Sequence, residues 1–314
     1  AGDNKTCTIT NEEKLTYLTL IKEVTNDDGG QALATAWTLT ATGPTTISGK
    51  TGDSSITNAA VNSGTYTLSE SGGPSGYTAG NWSCTGGSLL GNQITLSSGQ
   101  SVTCTITNDD IAPTLTLIKE VINNNGGTET GSGWVLYADG SDRPFYNWGP
   151  KVGPYTVKAG VEYTLTETNK PGYSASSWVC TGGGTLVGNK ITLALNENVT
   201  CTITNDDQPG TLIVKKVVNN DNGGTLEAKD FTFQVNGETA ISFEADGQND
   251  LTVNAGKYSI TEPAVSGYST TYDNCTNVVI ANGDTATCTI TNDDQLTRLI
   301  VIKHVDNTHG GTAK

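Results

Sequence analysis

A lysine, a glutamate and an asparagine recur in fixed order along this chain, each at the end of a short apolar-alternating stretch. The lysines are Lys22 and Lys119 in LTLIKEV, Lys215 in LIVKKVV and Lys303 in LIVIKHV. The glutamates are Glu70 in YTLSE, Glu167 in YTLTE and Glu262 in YSITE. The asparagines close CTITN at Asn11, Asn108, Asn205 and Asn292. Side chains on a strand alternate between its two faces. Leu18, Leu20 and Val24 therefore share the face of Lys22, Tyr66 and Leu68 that of Glu70, and Val102, Cys104 and Ile106 that of Asn108. The second set agrees: Leu115, Leu117 and Val121 go with Lys119, Tyr163 and Leu165 with Glu167, and Val199, Cys201 and Ile203 with Asn205. In the third, Ile213 and Val217 go with Lys215, whereas Leu212, Val214 and Val218 go with Lys216.

Polar groups on an apolar face invite a specific chemistry. A lone buried Lys or Glu is costly. Desolvation lowers the amine pKa and raises the carboxyl pKa, so both tend towards neutrality. A neutral amine is a nucleophile. A protonated carboxyl can donate to the asparagine carbonyl oxygen, polarise its carbon and shuttle protons. Attack of the amine with loss of ammonia would crosslink a first strand to a last strand by a Lys–Asn amide. That is self-modification once per site, not turnover. A plainer reading uses the same residues: Lys snorkels from a strand end, Glu pairs with it, and Asn opens a turn before Asp-Asp.

The elements that must hold these groups are short strands. The CTITN copies lie 97, 97 and 87 residues apart, and the lysines Lys22, Lys119, Lys215 and Lys303 lie 97, 96 and 88 apart, which marks an internal repeat of domain size. The expected boundaries are 1–11 (the last strand of a truncated repeat), 12–109, 110–206, 207–294, and 295–314 (the first strand of another). Within one repeat, strands are expected at 18–24 and around Trp37–Leu39, Ser55–Thr57, Tyr66–Leu68, Trp82–Cys84, Gln93–Leu96 and Val102–Asn108. Long patterns of helical period are missing. Such strands suit an all-β, two-sheet sandwich. Linkers such as Asp109-Asp110-Ile111-Ala112-Pro113 are short and contain proline, which favours stiffness.

Six of the seven cysteines fall two per repeat: Cys84 with Cys104, Cys180 with Cys201, and Cys275 with Cys288. Pairing within repeats implies an oxidising, extracellular or periplasmic compartment. Cys7 belongs to the first CTITN, whose earlier part is missing. No metal set is expected, because two cysteines without a nearby histidine cannot complete a tetrahedral site. The net charge of −15 argues against nucleic acid, which needs clustered Lys and Arg. No apolar run of about 18 residues suggests a membrane span. The only histidines, His304 and His309, stand in the last partial repeat, and no catalytic triad or phosphate loop stands out, so an enzyme acting on an outside substrate is not expected.

The first-strand lysine, the YTL-x-E motif followed by GPSGY or KPGY, and the terminal asparagine together resemble the collagen-adhesin B-type or prealbumin-like repeats of bacterial surface adhesins and pilins. The resemblance covers three whole repeats and both fragments. It implies tandem Ig-like, prealbumin-like β-sandwich modules in an elongated array. It also implies intramolecular isopeptide bonds aided by an acidic residue. Carried over, the trios are Lys22, Glu70 and Asn108; Lys119, Glu167 and Asn205; and Lys215, Glu262 and Asn292. The third repeat departs from the motif: Pro263 directly follows its glutamate, and the span between its cysteines is short. The implied function is an extracellular or cell-surface structural stalk or filament, with other copies or repeats as partners. The alternative is an adhesin for a glycan or host protein, for which Trp37, Trp134, Tyr146 and Trp148 are the candidate aromatics. Trp37 and Trp134 occupy matching positions and read as core.

Acidic clusters recur at Asp27-Asp28, Asp109-Asp110, Asp206-Asp207, Asp221 and Asp293-Asp294. If first and last strands run parallel, these clusters gather at one end of each repeat. They would then offer calcium an oxygen-rich site at a domain junction, or serve simply as solvated turns.

Overall fold

The structure is a computed structural model describing residues 2–314. It separates into two compact units. The first runs to Glu120 and adds 131–168 and 177–203; the second comprises 121–130, 169–176 and Thr204–Lys314.

Repeat 1, in the first unit, contains ten strands: β1 (Thr16–Thr25), β2 (Trp37–Thr42), β3 (Ile47–Gly49), β4 (Ala59–Val61), β5 (Gly64–Gly72), β6 (Tyr77–Ala79), β7 (Ser83–Thr85), β8 (Ser88–Leu90), β9 (Gln93–Leu96) and β10 (Ser101–Asp110). One layer has the order β4-β1-β10-β6, with β7 also on β10. The other has the order β3-β2-β5-β9-β8. Apolar alternation dictates the inner faces. Leu18, Leu20, Val102 and Ile106 of the first layer join Leu39, Ala41, Tyr66, Leu68 and Ile94 of the second in one core. The same alternation carries Lys22 and Asn108 inward, both buried. β1 and β10 run parallel, pairing Lys22 with Ile106 and Val24 with Asn108.

The segment around Ser55–Thr57, expected as a strand, is a turn. Ile56 is nonetheless fully buried, and its carbonyl accepts the N–H of Leu20 at 2.9 Å. A buried aliphatic fastened to β1 by a single bond leaves no alternation to distinguish it from a strand.

Within the same unit, the part of repeat 2's first strand at 114–120 lies between Lys151–Thr156 and the part of its last strand at 198–203. Its second layer orders Phe145–Trp148, Val135–Asp139, Glu162–Glu167, Lys190–Thr192 and Thr185–Val187. In the second unit, Tyr173–Ala175 pairs with Asn205–Asp207. Repeat 3 follows there, with a four-stranded layer of Gln248–Val253, Gly210–Asn219, Thr285–Asp294 and Tyr268–Asp273. Its opposite layer is broken into a three-stranded piece and a two-stranded piece. Disulfides join Cys84 to Cys104, Cys180 to Cys201 and Cys275 to Cys288, and Cys7 is exposed. Among the described residues no helix is long and apolar enough to cross a membrane.

Candidate functional site

In repeat 1, β1 brings Lys22, β5 brings Glu70 and β10 brings Asn108 to one point between the layers. Lys22 Nζ donates to Glu70 Oε2 at 2.6 Å, and Asn108 Nδ2 donates to Glu70 Oε1 at 2.9 Å. One carboxylate thus spans the amine and the amide. The Trp37 ring lies 4.9 Å from Lys22 Nζ and covers it. The Lys22 side chain is wholly buried, while 15% of the Glu70 side chain stays exposed. Asn108 Oδ1 is buried with no hydrogen-bond partner.

In repeat 2, Lys119 Nζ lies 2.7 Å from Glu167 Oε2, an ion pair outside hydrogen-bond alignment, with the Trp134 ring 4.8 Å away. Asn205 is buried, and its Oδ1 likewise has no partner.

Repeat 3 corrects one assignment. Lys215 lies on the exposed face of its strand, and Lys216 points inward in its place. Lys216 Nζ donates to Glu262 Oε2 and, at 2.7 Å, to Asn292 Oδ1. Asn292 Nδ2 donates to Glu262 Oε1 at 2.6 Å. The side chains of Lys216 and Glu262 are both wholly buried. The rings of Phe231 and Phe243 lie 3.9 and 5.4 Å from the amine. The signal for Lys216 was present in the chain. The CTITN steps of 97, 97 and 87 carry Lys22 to Lys119, then to Lys216 and to Lys303.

Burial pushes the pKa of Lys22, Lys119 and Lys216 below the ordinary lysine value, against the opposing pull of the partner glutamate. This is the direction that favours a nucleophilic amine. In repeats 1 and 3 the carboxylate also touches the amide nitrogen that would leave.

The acidic clusters gather as the parallel strands require. Ligand atoms of Asp27, Asp28 and Asp110, and of Asp221, Asp293 and Asp294, lie within 4.8 Å of one another. The central carboxylates already have donors, however. Asp110 accepts the backbone N–H of Asp28 at 3.1 Å and of Gly30 at 2.6 Å. Asp294 accepts those of Asn222 and Gly224. Asp28 itself accepts from Arg143 Nη1 at 2.5 Å. Loop closure accounts for these oxygens without a cation. Burial alone would raise the Asp207 pKa; the N–H groups of Gly127, Asn125 and Asn124 outweigh it and hold that pKa below the ordinary value.

Of the candidate aromatics, Trp37 and Trp134 are buried, whereas Tyr146 and Trp148 are 68% and 63% exposed.

Two-layered β-modules in tandem, with parallel first and last strands and a lysine and a glutamate enclosed beside them, define the class of this protein. The chain belongs to the family described as the prealbumin-like fold domain, which matches residues 13–106, 110–203 and 207–290. Among solved structures, the TIE protein of Bacillus anthracis is similar at 15% identity and a TM-score of 0.52, over 90% of this chain and 51% of that one. This chain therefore spans about half the length of that protein, and the likeness concerns the fold. Two B repeat units of the collagen-binding protein Cna of Staphylococcus aureus match at 14% identity and a TM-score of 0.27, over 90% of this chain and 76% of that one. The major pilin T-13 of Streptococcus pyogenes matches at 14% identity and a TM-score of 0.28, over 64% and 98%. No curated protein is significantly similar to the chain in sequence.

Proposed function

We propose that this chain is a load-bearing part of an extracellular or cell-surface stalk or filament, braced inside each repeat by a Lys–Asn amide. The observation that carries this reading is the enclosed carboxylate of Glu262, bonded to both Lys216 Nζ and Asn292 Nδ2. A proton passes from the ammonium to the carboxylate. The free amine attacks Asn292 Cγ, forming the N–Cγ bond and placing an electron pair on Oδ1. Glu262 returns its proton to Nδ2 and takes one from the new amide nitrogen. The carbonyl re-forms, the Cγ–Nδ2 bond breaks, and ammonia leaves. The same step in repeat 1 uses Lys22, Glu70 and Asn108. Repeat equivalence assigns it in repeat 2 to Lys119, Glu167 and Asn205.

Each amide would join the first strand of a repeat to its last. Tension entering at one end would then run through a covalent bond and not through strand hydrogen bonds. Family membership and the disulfides support placement outside the cell. The partners in this reading are other repeats or copies of the same protein.

Intact mass tests the chemistry. The fully reduced chain should lack one ammonia per bond, three in all. Lys216→Arg should restore one ammonia and Lys215→Arg none. A mass lacking no ammonia would remove the amide bonds from the proposal.

A second reading, a ligand-binding adhesin, is favoured by one feature of repeat 2. Tyr146 and Trp148 stand exposed on the outermost strand of their sheet, and Tyr146 stacks on Tyr137 with ring centroids 5.4 Å apart. A glycan array probed with the full chain and with a Tyr146→Ala, Trp148→Ala variant separates the two readings.

A further inference from the structure

Two junctions between repeats are built alike, and the end of repeat 3 carries the same parts uncovered. In the first unit, the N–H of Ala159 donates to the carbonyl of Asp28 at 2.8 Å, and that of Asn196 to Ile111 at 2.9 Å. The incoming turns rest on bare backbone. A Cβ at Gly29 would stand 2.3 Å from the Ala159 oxygen, and one at Gly76 would stand 2.5 Å from Leu195 Cβ. In the second unit, the N–H of Ala255 donates to Asn125 at 2.7 Å, and that of Gly283 to Gln208 at 3.1 Å. A Cβ at Gly126 would stand 2.6 Å from the Ala255 oxygen, and one at Gly172 would stand 2.4 Å from the Asn282 oxygen. Asn282 Nδ2 adds bonds to the carbonyls of Asn125 and Gln208 and to Asp207 Oδ2. Each socket therefore consists of two carbonyls and two glycines.

The matching residues of repeat 3 are the carbonyls of Asn222 and Gln295 and the glycines Gly223 and Gly267. Their frame is already set. The N–H of Gln295 donates to Gly267 at 2.8 Å, as Ile111 donates to Gly76 and Gln208 to Gly172. Gly223 and Gly267 hold φ of +95° and +85°, close to their counterparts. Yet among the described residues nothing lies within 4 Å of a Cβ built at either.

The chain beyond points to the occupant. Leu299, Val301, Lys303 and Gly310 repeat Leu212, Val214, Lys216 and Gly223. Asn307 Nδ2 donates to the Ala313 carbonyl at 3.0 Å, as Asn220 Nδ2 does to Leu226. The loop after a first strand is thus formed, while Leu299, Ile300, Val301 and Ile302 remain 79–88% exposed. Such a row of aliphatic residues needs a partner layer.

We propose that the end of repeat 3 is a docking surface for one further prealbumin-like module, built on Leu299–Gly311 and seated by the same two turns. The surface sets that module in a fixed direction. It depends on the junction geometry alone and stands whether or not the amide bonds form.

The test extends the full chain after Lys314 with a copy of residues 228–294, which completes such a module. Spin-label pairs are placed across the new junction and, as a reference, across the junction of repeats 2 and 3. The expected distance distribution is as narrow at the new junction as at the reference. Gly223→Asn with Gly267→Asn should widen it to that of a free linker. Both positions hold positive φ, where a side chain strains the backbone, so melting of the unextended chain carrying the same pair is recorded as the control for folding. A second variant places proline at the appended residue matching Ala255, which deletes the donated N–H, and it should widen the distribution too. A broad distribution in the unsubstituted protein overturns the proposal. So does a narrow one that survives both variants. Association of the unextended chain through this face, lost in the Gly→Asn variant, would replace the tethered module with a second copy and overturn the stated occupant.

Discussion

Repeat 3 departs furthest from the motif shared by repeats 1 and 2, yet it encloses its trio most completely. In repeat 1 the Glu70 side chain keeps 15% of its surface in water, and Asn108 Oδ1 has no donor. In repeat 3 the Glu262 side chain keeps none, and Lys216 donates to Asn292 Oδ1. The difference lies in the rings. Trp37 stands 4.9 Å from its lysine, whereas Phe231 stands 3.9 Å from Lys216 and Phe243 closes a second side. Neither Pro263 after the glutamate nor the short cysteine loop opens the site. The fuller enclosure goes with a closer ring over the amine and a second ring beside it.

The strongest way to break this comparison is to remove the carboxylate. Backgrounds that cannot crosslink, Asn108→Ala and Asn292→Ala, isolate the ion pair. Adding Glu262→Ala leaves an ammonium in a dry site, and breaking a buried pair in this way costs about 3–5 kcal/mol. Adding Glu70→Ala should cost less, because water reaches that position. Hydrogen exchange read peptide by peptide reports each repeat separately; repeat 3 contains no tryptophan, so fluorescence would miss it. An equal or larger loss in repeat 1 would end the argument from enclosure.

Disulfide reduction is the next effect in size. In the loop-entropy account a bridge of this span contributes about 3 kcal/mol. Cys84–Cys104 closes a separation of 20 residues and Cys275–Cys288 one of 13, so repeat 1 should lose slightly more. If the Lys–Asn amides form, they already restrict the same unfolded chains, and reduction should then cost less than in the Asn→Ala backgrounds. A cost identical in both would argue that the two constraints act independently.

The contrast between repeats also explains what the sequence could reveal. Trios 1 and 2 were legible because each first strand carries a single lysine, Lys22 or Lys119, on the face of its leucines, whereas the third carries two adjacent ones, Lys215 and Lys216. The third first strand has aliphatic residues on both faces, and Val217 stays 42% exposed beside Lys215. Alternation alone therefore could not choose the lysine, whereas the CTITN spacing could. The cysteine pairs followed from the repeat pattern, whereas the parallel pairing of first and last strands entered only as a condition that the structure then met. Buried Ile56, in a turn, and the glycine sockets did not, because they depend on what another part of the chain places there.

The smallest effect is the most direct probe of the amine. In the Asn→Ala backgrounds the lysines keep a titrating group, and burial lowers the folded-state pKa of Lys22 and Lys216 below the ordinary lysine value of 10.5. Between that lowered pKa and 10.5 the unfolded chain binds more protons than the folded one, so stability should rise with pH across this window. Below the window both states are protonated, and the charged amine in its buried place is a constant cost. Above it both are neutral and the slope vanishes. The rise should be larger for repeat 3, where no water shares the site, and it should vanish in the parent chain if its amines have become amides. Denaturation with exchange readout at several alkaline pH values measures it. A slope that persists in the parent would mean that these lysines are not joined, and one that falls with pH in the Asn→Ala variants would mean that they are not held in a desolvated site.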